Sequence, residues 1–98
     1  MPVAFVQEFD ASDRSTSNYD AIAEQLNAQV DPPDGVIIHT AGFTGDGRFR
    51  IFDVWESKEQ LQQFLEQRLM PIVREVTEGQ DLQPPREEIY ELHDLVKP

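Results

Sequence analysis

Three residues of this sequence have the types and spacing to do chemistry together: His39, Asp53 and Trp55. They lie among apolar residues in the stretch Val36-Ile-Ile-His-Thr-Ala-Gly-Phe-Thr-Gly-Asp-Gly-Arg-Phe-Arg-Ile-Phe-Asp-Val-Trp-Glu-Ser57. A carboxylate touching an imidazole fixes its tautomer and raises its basicity, which is how a histidine is prepared as a general base. Trp55 would add a flat apolar wall. The same pair also serves simply as a satisfied hydrogen bond in a small core. The sequence has no cysteine and two histidines, and neither a His-x-His nor a His-Glu-x-x-His spacing occurs. Neither a metal site nor a bound cofactor is therefore expected.

Whether His39 and Asp53 meet depends on the turn between them. Along the second strand of the stretch, Phe49, Ile51, Asp53 and Trp55 share one face, and Arg50, Phe52 and Val54 share the other. A three-residue Gly45-Asp46-Gly47 loop pairs Thr44 with Arg48, hence His39 with Asp53 and Ile37 with Trp55. A two-residue Asp46-Gly47 loop, the stronger generic hairpin signal, sets His39 beside Val54 instead. The longer loop is preferred because the alternative buries an imidazole and a carboxylate apart, at about 1 to 3 kcal/mol for each unpaired group.

The flanking segments supply the elements that must hold this hairpin. Residues 3–9 read as a strand. A helix follows, with Ser15, Ser17 or Asn18 offering a cap oxygen and Tyr19, Ile22, Ala23, Leu26 and Val30 on one face. Asp31-Pro-Pro-Asp-Gly35 stops it. The hairpin strands span about 35–44 and 48–56. Ser57-Lys-Glu-Gln60 resembles a capping box, and Leu61, Phe64, Leu65, Leu69, Ile72, Val73 and Val76 keep one stripe through Pro71, which predicts a kinked helix or two helical pieces in register. Residues 77–86 read as a loop and 88–96 as a final strand. In that strand Tyr90, Leu92 and Val96 form the face suited to the helices, and His93 shares the other face with Ile89, Glu91 and Leu95, from which it can reach the same pocket.

The order βαββαβ predicts a single α+β domain over 1–98 of ferredoxin-like type, a four-stranded antiparallel sheet with both helices on one face. The opposite face then has no cover from its own chain, and the strands are apolar on both sides, so a partner is expected. The formal charge of −11, from 19 acidic and 8 basic residues, argues against nucleic acid and against an anionic membrane surface. No apolar run approaches the roughly 20 residues needed to span a bilayer. With no signal-like N-terminus, a cytoplasmic location is the expectation.

The run Phe52-Asp-Val-Trp-Glu-Ser57, opening an amphipathic helix after a Gly-started strand and a short turn, resembles the dimeric α+β barrel superfamily, specifically small proteins similar to antibiotic-biosynthesis monooxygenases. The likeness covers nearly the whole chain in element order, and Trp55-Glu-Ser57 is its main residue signature. It implies a homodimer whose two sheets pack face to face, with the Trp55 face turned into the barrel, Phe52 and Val54 against the helices, and an apolar pocket in each subunit. Ile37, Phe43, Phe49, Ile51 and Trp55 would then wall that pocket around His39 and Asp53, with His93 within reach. Two departures stand out. Cofactor-free oxygenases of this type carry an Asn four residues before the Trp, where this chain has Ile51. Haem-degrading relatives use a His in the second helix, and none occurs between Ser57 and Gly79.

The expectation is a homodimer binding a small apolar or aromatic ligand. Its activity would be a cofactor-free monooxygenase or cyclase reaction on an aromatic or polyketide-like compound, with His39 as base and Asp53 as its orienter. The alternatives are a non-catalytic binding protein with the same pocket and a structural dimer whose interior is filled.

Overall fold

The computed structural model describes residues 1–10, 16–80 and 84–98. The elements are β1 (Val3–Asp10), α1 (Ser17–Leu26), β2 (Val36–Phe43), β3 (Arg48–Trp55), α2 (Lys58–Phe64), a π-helical segment (Leu65–Leu69), α3 (Met70–Val76) and β4 (Arg86–Glu91). The strands form one antiparallel sheet in the order β2-β3-β1-β4. This is the ferredoxin-like arrangement, in which each βαβ half contributes one central and one edge strand.

The hairpin takes the three-residue loop. Thr44 N–H donates to Arg48 C=O at 2.8 Å and Gly47 N–H to Thr44 C=O at 3.3 Å. Gly47, at φ 83°, supplies the left-handed residue that completes such a loop. The resulting register sets Phe43 opposite Phe49 and His39 opposite Asp53. A bulge between Val36 and Ile38 then changes it, so that Val36, not Ile37, lies opposite Trp55. The sequence reading carried a regular ladder through this point. An extra residue in one strand shifts every partner beyond it, and Ile37 is that residue.

Entry into α2 follows from Trp55-Glu-Ser57. Ser57 Oγ accepts from Gln60 N–H at 3.2 Å and donates to Gln60 Oε1 at 3.0 Å. Gly35 lets the chain pass this cap closely: its φ is 93°, and a Cβ there would stand 2.5 Å from Gln60 Cδ. The long helical stretch is divided before Pro71 into α2 and α3 by the π-helical segment. The ring removes one N–H and would crowd the carbonyl four residues earlier, and the wider π turn just before it, with Met70 N–H donating to Leu65 C=O, absorbs the misfit.

Three expectations are corrected. Helix α1 ends at Leu26 because Asn27 turns left-handed at φ 51° and its N–H caps Ala23 C=O; Val30 is therefore outside the stripe and 78% exposed. At the other end the N-cap position is Thr16, without a side-chain cap bond. Asn18 pairs with Gln80 instead, Ser17 is the first helical residue, and Ser15 lies outside the described residues. Strand β4 runs from Arg86 to Glu91, so His93, Leu95 and Val96 follow the strand and are not in it.

The third correction concerns the faces of the sheet. Trp55, Val3 and Phe5 pack with Leu61 of α2, and Phe64 and Leu65 join them; Phe49 and Ile51 pack with Tyr19 of α1, Phe9 and Phe43. The Trp55 face thus lies under the chain's own helices. Phe52, Val54 and Tyr90 share the opposite face with Ala4 and Val6. The face bearing Ile37, Phe43, Phe49, Ile51 and Trp55, expected to need a partner subunit, is already covered by α1 and α2. The reason is geometric: Ser57 starts a helix two residues after Trp55, so the chain folds back over the face to which Trp55 points.

Candidate functional site

Between the sheet and the helices lies a cavity of about 770 Å³. Its floor includes Phe5, Ile51, Asp53 and Trp55, its roof Tyr19, Ile22, Ala23 and Leu26, and Phe64 and Leu69 close one side. Arg68 ties the π-helical segment to the far end of α1, donating to Leu26 C=O at 3.0 Å and Asp31 C=O at 3.1 Å. A cation on those last carbonyls is favourably placed in the field of the helix. The volume lies within the range of small-molecule sites, and the lining is predominantly apolar.

One line of polar groups crosses this apolar space. Asp53 is 5% exposed, and a buried carboxylate requires hydrogen bonds. Its Oδ1 lies 2.6 Å from His39 Nδ1, across the strand pair, and its Oδ2 accepts from Trp55 Nε1 at 3.4 Å. The carboxylate therefore accepts from Nδ1–H and leaves Nε2 as the imidazole's acceptor. That nitrogen lies 2.7 Å from the hydroxyl of Tyr19 on α1. Asp53, His39 and Tyr19 form a continuous chain from the floor of the cavity to its roof.

The electrostatics follow from these contacts. The hydrogen bond from Asp53, opposed by partial burial and aided by the carboxylate's charge, holds the His39 pKa above its ordinary value. Burial pushes the Tyr19 phenol up as well, with Asp53 and Asp20 adding to the effect. Tyr19 therefore stays protonated as the partner of a histidine that readily accepts a proton. Phe49 meets the Tyr19 ring edge to face, with centroids 5.1 Å apart, and also contacts Phe43 at 5.1 Å. The phenol is thereby held beside the imidazole, with its hydroxyl at Nε2.

Of the residues singled out in the sequence, His39, Asp53, Ile37, Ile51 and Trp55 line this cavity. Phe43 and Phe49 stand behind Tyr19 as its support. His93 is elsewhere, beside Met1, Pro2, Glu56 and Leu92 at a shallow depression beyond the end of β4. The reading of His93 as a pocket residue assumed that β4 continued to residue 96. Tyr19 was read only as part of an apolar helical stripe, and its hydroxyl was the available signal: a tyrosine in the stripe that must face the sheet brings a polar atom that requires a partner. Among the described residues, no three His, Asp or Glu side chains converge as a metal site, and no helix is long and apolar enough to cross a membrane.

No protein-family model matches the sequence, and no curated protein matches it. Solved structures do match. Rv0793 from Mycobacterium tuberculosis superposes with a TM-score of 0.76 at 16% identity, covering 99% of this chain and 100% of that one. A single-site variant of SnoaB, a cofactor-independent oxygenase from Streptomyces nogalater, gives 0.69 at 15% identity over 97% of this chain and 96% of its own. A Nitrosomonas europaea protein assigned as an antibiotic biosynthesis monooxygenase gives 0.69 at 14% identity, covering 96% and 100%. At these identities the likeness establishes the architecture alone: this chain has the α+β fold of these structures.

Proposed function

We propose that the chain, working as one domain, binds a small aromatic or polyketide-like compound in the cavity under its helices. There it carries out a proton-abstraction step of cofactor-free monooxygenase or cyclase type. The observation that carries this reading is the buried Asp53 carboxylate at 2.6 Å from His39 Nδ1 inside a largely apolar cavity. The His39 side chain is 46% exposed, so the base is reached from solvent, while its buried carboxylate partner stabilises the imidazolium that forms. Trp55 and Ile51 supply the apolar walls. A packed structural dimer is disfavoured by the cavity itself, since filled interiors leave few voids larger than a water molecule. The absence of the Asn that the family's oxygenases carry, with Ile51 in its place, is why the base is assigned to His39 and not to an equivalent of that residue.

A homodimer and a cytoplasmic location belong to the same proposal. The dimer rests on the outer sheet face: Ile38 and Tyr90 stand 49% and 42% exposed there, at the edges of the buried Ala4, Val6 and Val54, on the side opposite the clusters that Leu61 and Tyr19 of the helices join. Light scattering at micromolar concentration is expected to give twice the 11.3 kDa chain mass. A monomer would remove this part and leave the site proposal standing.

The site is tested by titrating a panel of aromatic and polyketide-like compounds while following turnover and the fluorescence of Trp55, the single tryptophan. Asp53→Asn is expected to keep the fold and the fluorescence response while lowering turnover by about 100- to 10,000-fold, the usual scale for a lost general base. Full turnover in that variant would make His39 and Asp53 a packing pair.

A further inference from the structure

In the unliganded site both nitrogens of His39 are engaged, Nδ1 by Asp53 at 2.6 Å and Nε2 by the Tyr19 hydroxyl at 2.7 Å. A ligand entering the cavity therefore finds the Nε2 lone pair already occupied by the phenol. The Tyr19 and His39 rings are nearly parallel, 6° apart, with centroids separated by 6.2 Å. With the short O···N distance, this orientation directs the hydroxyl toward the in-plane lone pair of Nε2. A phenol oxygen that donates its one proton still has lone-pair capacity to accept another.

We infer that Tyr19 is the group through which His39 acts, and that the compound it acts on carries an ionisable hydroxyl, as a phenol or enol, on its aromatic skeleton. The inference rests on the reading of His39 as a base. The substrate hydroxyl donates to Tyr19 Oη while Tyr19 donates to Nε2. As the substrate O–H bond breaks, its electron pair stays on the substrate oxygen and its proton becomes the new Tyr19 proton. The former Tyr19 proton forms the Nε2–H bond. Tyr19 is neutral before and after, the imidazolium lies against Asp53, and the Tyr19 O–H now points at the oxyanion it has helped to create. The same hydroxyl thus accepts from the neutral substrate and donates to the anion. Burial and the neighbouring Asp53 and Asp20 charges disfavour tyrosinate, which suits a group that passes protons on without ionising. Asp53 favours the cation at His39 and disfavours the anion at Tyr19, and Asp20 disfavours the Tyr19 anion as well.

Two measurements on the intact chain test this. In the free protein, nitrogen NMR of His39 should show Nε2 as a hydrogen-bonded acceptor, and Tyr19→Phe should shift Nε2 toward an unbonded imine nitrogen with Nδ1 unchanged. An unchanged Nε2 would overturn the inference without any ligand. The second uses anthraflavic acid, a hydroxyanthraquinone whose colour reports ionisation. Bound to the wild type it should ionise with its proton affinity lowered about tenfold or more, a shift of roughly one pKa unit. Tyr19→Phe should bind it up to about tenfold more weakly, the scale of one lost hydrogen bond, and lose most of that shift, and His39→Gln should lose all of it. Ionisation retained by Tyr19→Phe but lost by His39→Gln would overturn the relay and leave His39 as a directly contacting base. Binding without ionisation in the wild type would overturn both. If the dye does not bind, the aromatic-ligand reading fails and this substrate class fails with it.

Discussion

The two helical coverings of the sheet differ in how they use the space beneath them. Under α2, Leu61 and Trp55 are 0% and 1% exposed, packed with Val3 and Phe5. Under α1 no helical residue is fully buried, and Tyr19, Ile22, Ala23 and Leu26 look onto a cavity. The capping follows the same division: Ser57 anchors α2 through Gln60, whereas α1 starts without a side-chain cap bond and ends on a left-handed asparagine. One half of the helical layer is built as core and the other spans the cavity that Tyr19, His39 and Asp53 line. Asp53 lies at their boundary, between Ile51 of one cluster and Trp55 of the other, so the dense half flanks the carboxylate while the hollow half leaves open space beside His39.

The strongest way to break this contrast is to hollow out the dense half. Trp55→Ala should cost about 3 to 5 kcal/mol and Leu61→Ala about 2 to 5 kcal/mol in denaturant unfolding at fixed protein concentration, as buried large-to-small changes do. Only Trp55→Ala should also weaken ligand binding, because Leu61 does not line the cavity. Equal losses of binding would erase the division between the halves. Removing the cap oxygen with Ser57→Ala should cost about 1 kcal/mol, and a value near zero would mean that α2 is held by packing alone. Ile22→Ala, over the hollow half, should cost less than about 1 kcal/mol, since little burial is lost; a loss like that of Leu61 would show the roof to be core after all.

The smallest effect sharpens the contrast through pH. The folded-state pKa of His39 is raised, chiefly by its hydrogen bond to Asp53. Its ionised form therefore stabilises the fold fully below the unfolded value of about 6.5, and this contribution is lost as pH rises through the higher folded value. The stability advantage of the wild type over His39→Gln should accordingly shrink as pH is raised from just below that point into the alkaline range. Asp53→Asn should flatten the trend. An advantage that grew with pH would mean that the imidazole is held neutral in the fold.

Much of this molecule was legible from local patterns. The apolar stripe beginning at Tyr19, the Ser57–Gln60 cap and the glycines of the hairpin loop each act within a few residues, where propensity and hydrogen-bonding chemistry decide the outcome. Together they determine the element order and the pairing of His39 with Asp53, because strand alternation and loop length leave few registers open. Other features depended on contacts distant in sequence. The bulge at Ile37 and the end of β4 at Glu91 are set by how each strand meets its neighbour. Which face the helices cover could not be read from the strands, since Phe52 and Val54 look as apolar as Phe49 and Ile51 when burial is unknown. Only the tertiary structure brought Tyr19 from α1 to within 2.7 Å of His39 on β2. Helical periodicity placed its side chain on the inward face, but the position of that helix along the sheet decided which polar atom it would meet there.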